Sequence, residues 1–337
     1  MSIKPFNAIL PGVGVTVPVG AGMLTQGQAW FVMPGSGDDT AGGRRFDRAL
    51  ATLAGGGAAT SGVLAKVTAN RNDVVYFMAE SNTGASTTDY QSNTAAGGAL
   101  IWNQDLTHLI GVPGGPMFSQ RSRIALISSH VTANNLFTLS ANACRIENMS
   151  FFEGVAHAQP TGCMKVTGNR NYLRNCHIAG MGNDLNDIAS AYSLYVSGEE
   201  NVFDRCVIGL DSTDRGSAVN SEIYFAAGAT RNYFKDCIII SRLQHSTNSP
   251  QVRVAGGAMG NPGPIAIFDN CQFINCSVNY GFDQTYVFVF TAAPTAGIMV
   301  VRNSFANATN WGAGGNHLIL HNSVANTGYN QGLGYSS

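Results

Sequence analysis

The 337-residue chain has a net charge of −1, only 12% charged residues and 40 glycines. So few charges exclude a chain of long surface helices, and near-neutrality without a long basic run excludes electrostatic capture of nucleic acid or of an anionic membrane. Length allows one elongated domain or two compact ones, and the Gly- and Asn-rich composition predicts strands joined by turns.

Residues 1–37 open the chain with alternating Val13, Val15, Val17 and Val19, which predicts an extended strand. Together with Phe6 they define an apolar arm with little means of folding alone, expected either to dock on a partner surface or to pack along the flank of its own domain. Pro11, Pro18 and repeated glycines break every apolar run. No stretch is therefore long enough for a transmembrane helix, and the charged start and compact apolar core of a secretory signal are missing, so folding in a cytoplasm is expected. The glycine runs lack the residues of a phosphate loop, and no cofactor is expected.

Residues 38–59 begin "DDTAGGRRFDRALATLAGG". Asp39 or Thr40 offers helix-start chemistry, and Phe46, Ala49, Leu50 and Leu53 follow at helical spacing. A short capping helix over the first coil of whatever follows is expected.

Residues 60–325 repeat. The stretches "RNYLRNCHI", "ENVFDRCVI" and "RNYFKDCII" place Cys176, Cys206 and Cys237 in one setting, and Met149, Cys271 and Asn303 fill the same slot in three further segments. The slots 149, 176, 206, 237, 271 and 303 lie 27, 30, 31, 34 and 32 residues apart, a repeat with tolerated loop insertions. Two residues beyond the slot stand Phe151, Ile178, Ile208, Ile239, Phe273 and Phe305, which share the slot's face in a strand. The apolar residues three before the slot (Ile146, Leu173, Phe203, Phe234, Phe268, Val300) have the wrong parity for one straight strand, so the chain must turn a corner between. Upstream lie further short strands such as "CMKV", "SLYV", "EIYF" and "QVRV". Asn171, Asn201 and Asn232, five before the slot, suit a left-handed turn and side-chain hydrogen bonding along a stack. Residues 326–337 form a Gly-rich tail after what reads as a final coil.

Short strands, corners and a repeat near 30 residues resemble the right-handed parallel β-helix of the pectate-lyase-like superfamily. The opening Asp38-Asp39-Thr40 and the segment "DLTHLIGVPGGP" (105–116) are similar to early parts of pectate-lyase-like proteins, the former also to many phage tailspikes. The resemblance implies an all-β, single-stranded right-handed solenoid with a short N-terminal capping helix and an extended arm. Equivalent side chains would then stack. Cys176, Cys206, Cys237 and Cys271, with Ile178, Ile208, Ile239 and Phe273, become a core ladder. Packing is favoured for the cysteines over a disulfide between neighbours or a metal site, because slots thirty residues apart lack the clustered pairs of zinc sites.

Enzymes on this fold use paired carboxylates for hydrolysis, or an Arg or Lys base for elimination. The polygalacturonase-like strings "NTD", "GHG" and "RIK" and the pectate-lyase strings are absent in their expected order. The fallback acids are Asp184 and Asp187 in "MGNDLNDIAS" and Asp211 and Asp214 in "LDSTDRGS", in loops after successive slot strands; they either solvate turns or form a carboxylate site. His317 and His321 would share one face of a late strand without a third metal ligand nearby. One residue after the slot, His177 is followed by Val207 and Ile238, an outward apolar stripe expected to contact another subunit or another segment of the chain.

Two functions follow as expectations. The first is a virion structural protein, a capsid decoration or cement protein, homotrimeric by the resemblance, gripping the major capsid protein. The second is a tailspike or fibre that binds or cleaves host glycan, with Tyr192, Tyr195 and Tyr224 stacking on sugars or merely packing.

Overall fold

The computed structural model describes residues 8–9, 16–17, 27–54, 62–79, 100–112, 122–125, 135–158, 161–216, 218–243, 249–256, 264–277, 284–292, 297–313 and 318–325. Three parallel sheets of eight, ten and eight strands run the length of a solenoid, here called sheets 1, 2 and 3 in the order each coil visits them. One representative coil contributes Tyr192–Val196 to sheet 1, Val202–Asp204 to sheet 2 and Val207–Gly209 to sheet 3.

The corner inferred from the parity break lies between sheets 2 and 3. Asn148, Asn175, Arg205, Asp236, Asn270, Asn303 and Asn322 all have φ between 46° and 55° there, so each coil turns on one left-handed residue. The next residue points inward, which places Met149, Cys176, Cys206, Cys237 and Cys271 in the core. This geometry corrects the sixth slot. Asn303 is the corner residue and Ser304 the inward one, so Ala306 replaces Phe305 and Val301 replaces Val300 in the stacked columns.

A second correction concerns the corner from sheet 1 to sheet 2. The left-handed residues are Arg170, Glu200 and Arg231, one position before the asparagines, and Ala143, one position before Cys144. The asparagines themselves form a buried ladder: Asn171 Oδ1 accepts from the Cys144 amide, Asn201 Oδ1 from the Asn171 amide, and Asn232 Oδ1 from the Asn201 amide. Their Nδ2 groups donate to the carbonyls of Ala141, Gly168 and Gly198. Backbone groups that face no strand at the corner are thereby satisfied.

Inside, like stacks on like. Phe203 and Phe234 lie 4.4 Å apart at 8°, and Phe234 and Phe268 4.6 Å apart at 19°. Outside, sheet 2 carries a column of alternating sign: Glu147, Arg174, Asp204, Lys235, Asp269 and Arg302 are register partners in sequence. Arg174 approaches Asp204 at 3.6 Å and Arg302 approaches Asp269 at 2.9 Å.

At the front, among the described residues 38–54, the expected capping helix is reduced to a single short turn. The segment contains one 3-10 turn, Phe46–Arg48, and Asp39 takes the amides of Ala51 and Thr52 instead of starting a helix. Leu50 bridges to Val32, and Ala49, Leu50 and Leu53 are buried, so the apolar spacing marked real core contacts made by irregular backbone. Ala29–Val32, within the residues read as an arm, is the first strand of sheet 2 and pairs with Asp73–Met78. Asp73 fastens this end: it accepts from the Gln28 and Thr68 amides, Trp30 Nε1 and Arg71. Burial alone would raise its pKa, but Arg71 and the amide donors hold it down to about 2. Of the arm residues, Val17 lies in Thr16–Val17, paired antiparallel with Ala8–Ile9, while Phe6, Val13, Val15 and Val19 lie outside the described residues.

Candidate functional site

The four fallback acids do not converge. Asp184 is exposed on the 3-10 turn Asp184–Asn186, and Asp211 is exposed on the next loop. Asp214 pairs with Arg242 at 3.0 Å. Asp187 is buried, and its Oδ1 accepts from the Gly216 amide and from Asn220 Nδ2 at 2.5 Å. It belongs to a network that sequence reasoning missed. Arg215, 2% exposed, is ion-paired to the fully buried Glu222 and hydrogen-bonded to Asn220, and Glu222 Oε2 accepts from Ser193 at 2.5 Å. Burial pushes Arg215 down to about 10, yet it stays protonated at neutral pH. The network ties the loop 211–220 to two strands of sheet 1. Its members are shut off from solvent, so it braces the loop rather than meeting a ligand.

Glu153 is a further buried acid. Glu153 follows the strand Ser150–Phe152 and is fully buried; its Oε1 accepts from the Val155 amide, and Oε2 has no hydrogen-bond partner. Burial pushes its pKa up to about 8, so it is a neutral acid at pH 7. No group of three or more His, Cys, Asp or Glu suited to a metal occurs among the described residues. His321 lies exposed in Leu318–His321, and His317 is outside the described residues.

All seven thiols are free. Cys176, Cys206, Cys237 and Cys271 are at most 1% exposed on successive coils, with Ile178, Ile208, Ile239 and Phe273 in the adjacent column. Burial pushes the Cys176 and Cys237 thiols well up. The stripe after the slot differs from its expected exposure. His177 is buried with Nε2 3.1 Å from the Gly209 carbonyl oxygen, Val207 is fully buried and Ile238 half-buried. Val207 therefore has no surface to offer a second subunit. The same column becomes exposed only further along, at Gln272, Phe305 and Val324.

The outward face of sheet 1 presents a different arrangement. Lys165, Tyr195, Tyr224 and Arg253 are consecutive register partners, a column about 14 Å long at the usual strand spacing of about 4.8 Å. Tyr195 and Tyr224 stack at 5.4 Å and 24°, and Tyr192 leans on Tyr195 at 5.3 Å. Lys165 Nζ lies 4.9 Å from the Tyr195 ring and Arg253 Cζ 5.7 Å from that of Tyr224. The signal was present in "CMKV", "SLYV", "EIYF" and "QVRV", whose third residues are these four.

These sheets, corners and stacked columns define a right-handed parallel β-helix. No protein-family model matches the chain, and no curated protein matches it. Among solved structures it is similar to the pectin methylesterase PemA from Erwinia chrysanthemi, with TM-score 0.55 and 13% identity over 89% of this chain and 90% of that one. The pectin methylesterase from Aspergillus niger gives 0.55 and 11% over 89% and 88%. Pectate lyase Pel9A gives 0.54 and 13% over 83% of this chain and 63% of its own. The fold is that of these β-helix proteins. No helix among the described residues is long and apolar enough to cross a membrane.

Proposed function

We propose that the chain is a structural protein of a phage particle: a homotrimeric decoration protein that works by binding, laid across neighbouring copies of the major capsid protein. The observation that carries this reading is where the apolar surface lies. Of seven exposed large hydrophobic residues among those described, four (Phe305, Ile319, Leu320, Val324) sit in the last two coils. A cluster of that kind at one end of a rod suits a protein contact. The Asp38-Asp39-Thr40 opening supports the phage setting, and the engagement of Asp187 and Asp214 in loop bracing supports binding over chemistry. The test is the mass of the purified chain by light scattering, with and without Phe305→Asp and Val324→Asp, alongside its copy number on purified particles. A trimer broken by both substitutions and many tens of copies are expected. A monomer insensitive to them, or fewer than two dozen copies per particle, overturns the reading.

The platform on sheet 1 favours a second reading, a fibre or spike that binds host glycan. Stacked tyrosines between Lys165 and Arg253 suit a sugar polymer bearing carboxylates. Retention on immobilised capsular polysaccharide, lost in Tyr195→Ala with the fold intact, would favour it; equal retention of both proteins would reject it.

A further inference from the structure

Sheet 2 turns a banded face outward. Beside the column of alternating sign runs a second outward column, Tyr172, Val202, Tyr233, Ile267 and Val300, register partners on successive coils and all half-buried. On its other flank, at the corner from sheet 1, stand Arg170, Glu200 and Arg231, again alternating in sign and ion-paired in sequence. A largely apolar band between two charged ones has the layout of a protein contact with its polar rim.

We infer that this face pairs with the same face of a second copy of the chain, the two rods running antiparallel. The charges choose both the partner and the direction. A two-fold axis along the strands, midway between the Asp204 and Lys235 rungs, sets Asp204 against Lys235, Arg174 against Asp269 and Glu147 against Arg302 of the second copy. The same operation sets Glu200 against Arg231. Every one of these acids meets a base. With the rods parallel, the axis lies along the column of Tyr172, Val202 and Tyr233. It then sets Arg174 against Arg170, Asp204 against Glu200 and Lys235 against Arg231, like against like on all three coils.

Ion pairing within the chain does not use the column up. Arg174 approaches Asp204 only to 3.6 Å, and Lys235, exposed at the centre of the face, makes its ion pair with Asp236 at 4.0 Å rather than with Asp204 or Asp269. From Glu147 to Arg302 is about 24 Å at the usual strand spacing, and Glu200 to Asp204 spans about 13 Å, so each copy offers on the order of 300 Å2 of face. That is small for a specific interface, which makes the contact weak, governed by charge and sensitive to salt. It lies apart from Phe305 and Val324 on sheet 3 and so is independent of the trimer proposed above.

Sedimentation equilibrium tests the inference on the chain carrying Phe305→Asp and Val324→Asp, so that association reports the sheet 2 face. A dimer is expected at about 50 mM salt and its loss at about 500 mM. Asp204→Lys and Lys235→Glu, each alone, should weaken the dimer about tenfold or more, since each sets like charges together at the centre. Mixed in equal amounts, the two variants should associate with each other, because the two new charges then face one another and the native pair remains on the other side of the axis. That recovery also shows both variants folded. Lys235→Ala, at an exposed site, should give a milder loss of about threefold and carries the test if a reversed charge unfolds the chain. A chain that stays monomeric at low salt overturns the inference, as does a dimer indifferent to both Lys235 substitutions or a mixture no more associated than its parts. Tightening by Lys235→Glu also overturns it, since that change sets an acid against Arg231 in the parallel arrangement.

Discussion

Replacing Glu153 by Gln isolates one charge whose cost can be worked from the structure. The carboxyl is buried beside the fully buried Cys163, and its pKa is pushed from 4.5 to about 8. In the unfolded chain it ionises near its ordinary value, so between pH 4.5 and 8 the folded state holds a proton that the unfolded state has released. Folding therefore weakens as pH rises through this interval and levels off above it. At about 1.4 kcal/mol per pH unit, the interval amounts to about 5 kcal/mol. Glutamine keeps an acceptor for the Val155 amide and has nothing to ionise. Urea unfolding of both proteins from pH 5 to 9 measures the difference, in which contributions from other groups cancel. The two should be nearly equal at pH 5, with the variant ahead by several kcal/mol at pH 9. Curves that run parallel across the range would refute the burial argument.

Three other outcomes are expected. Asp73→Ala should cost about 3 kcal/mol in denaturant unfolding, because Trp30 and two amides at the first coil lose their acceptor together with the Arg71 pair. Since the Asp73 pKa is depressed to about 2, its contribution is present above its unfolded value near 3.8 and fades as pH falls from there towards 2; acid unfolding of the variant should lack that component. Asn201→Ala should cost about 1–3 kcal/mol by stranding the Asn171 amide and the Gly168 carbonyl, and Asn201→Asp should be no rescue, since Nδ2 is needed as donor. Of the seven thiols, only the half-buried Cys276 should react with a bulky thiol reagent under native conditions; rapid modification of two or more would contradict the burial of the ladder.

The coil was legible because its period is written in large side chains whose parity changes at each corner. Where a small or polar residue holds the slot, the anchor is lost: Ser304 accepts from the Cys271 amide in the place where earlier coils put Cys, and Asn303, matching Asn270 at the corner, attracted the alignment by one residue. The front segment misled for another reason. Its apolar spacing was that of a helix, but Asp39 spends its oxygens on Ala51 and Thr52, and tertiary contacts to Val32 decide the backbone. The Arg215–Glu222 pair left no signal at all, since a charge in a loop ordinarily solvates it and only the folded chain shows Arg215 sealed from water against Glu222 of the strand Ser221–Phe225.

The alternating column on sheet 2 makes the natural unit of growth or loss a pair of turns. Excising the single turn that carries Arg174 would set Glu147 against Asp204, like against like on neighbouring rungs. Excising that turn together with the one bearing Asp204 would instead seat Glu147 against Lys235 and preserve the alternation. Shortened chains of the two kinds, compared by melting temperature, would show whether this parity rule governs how long the rod can be.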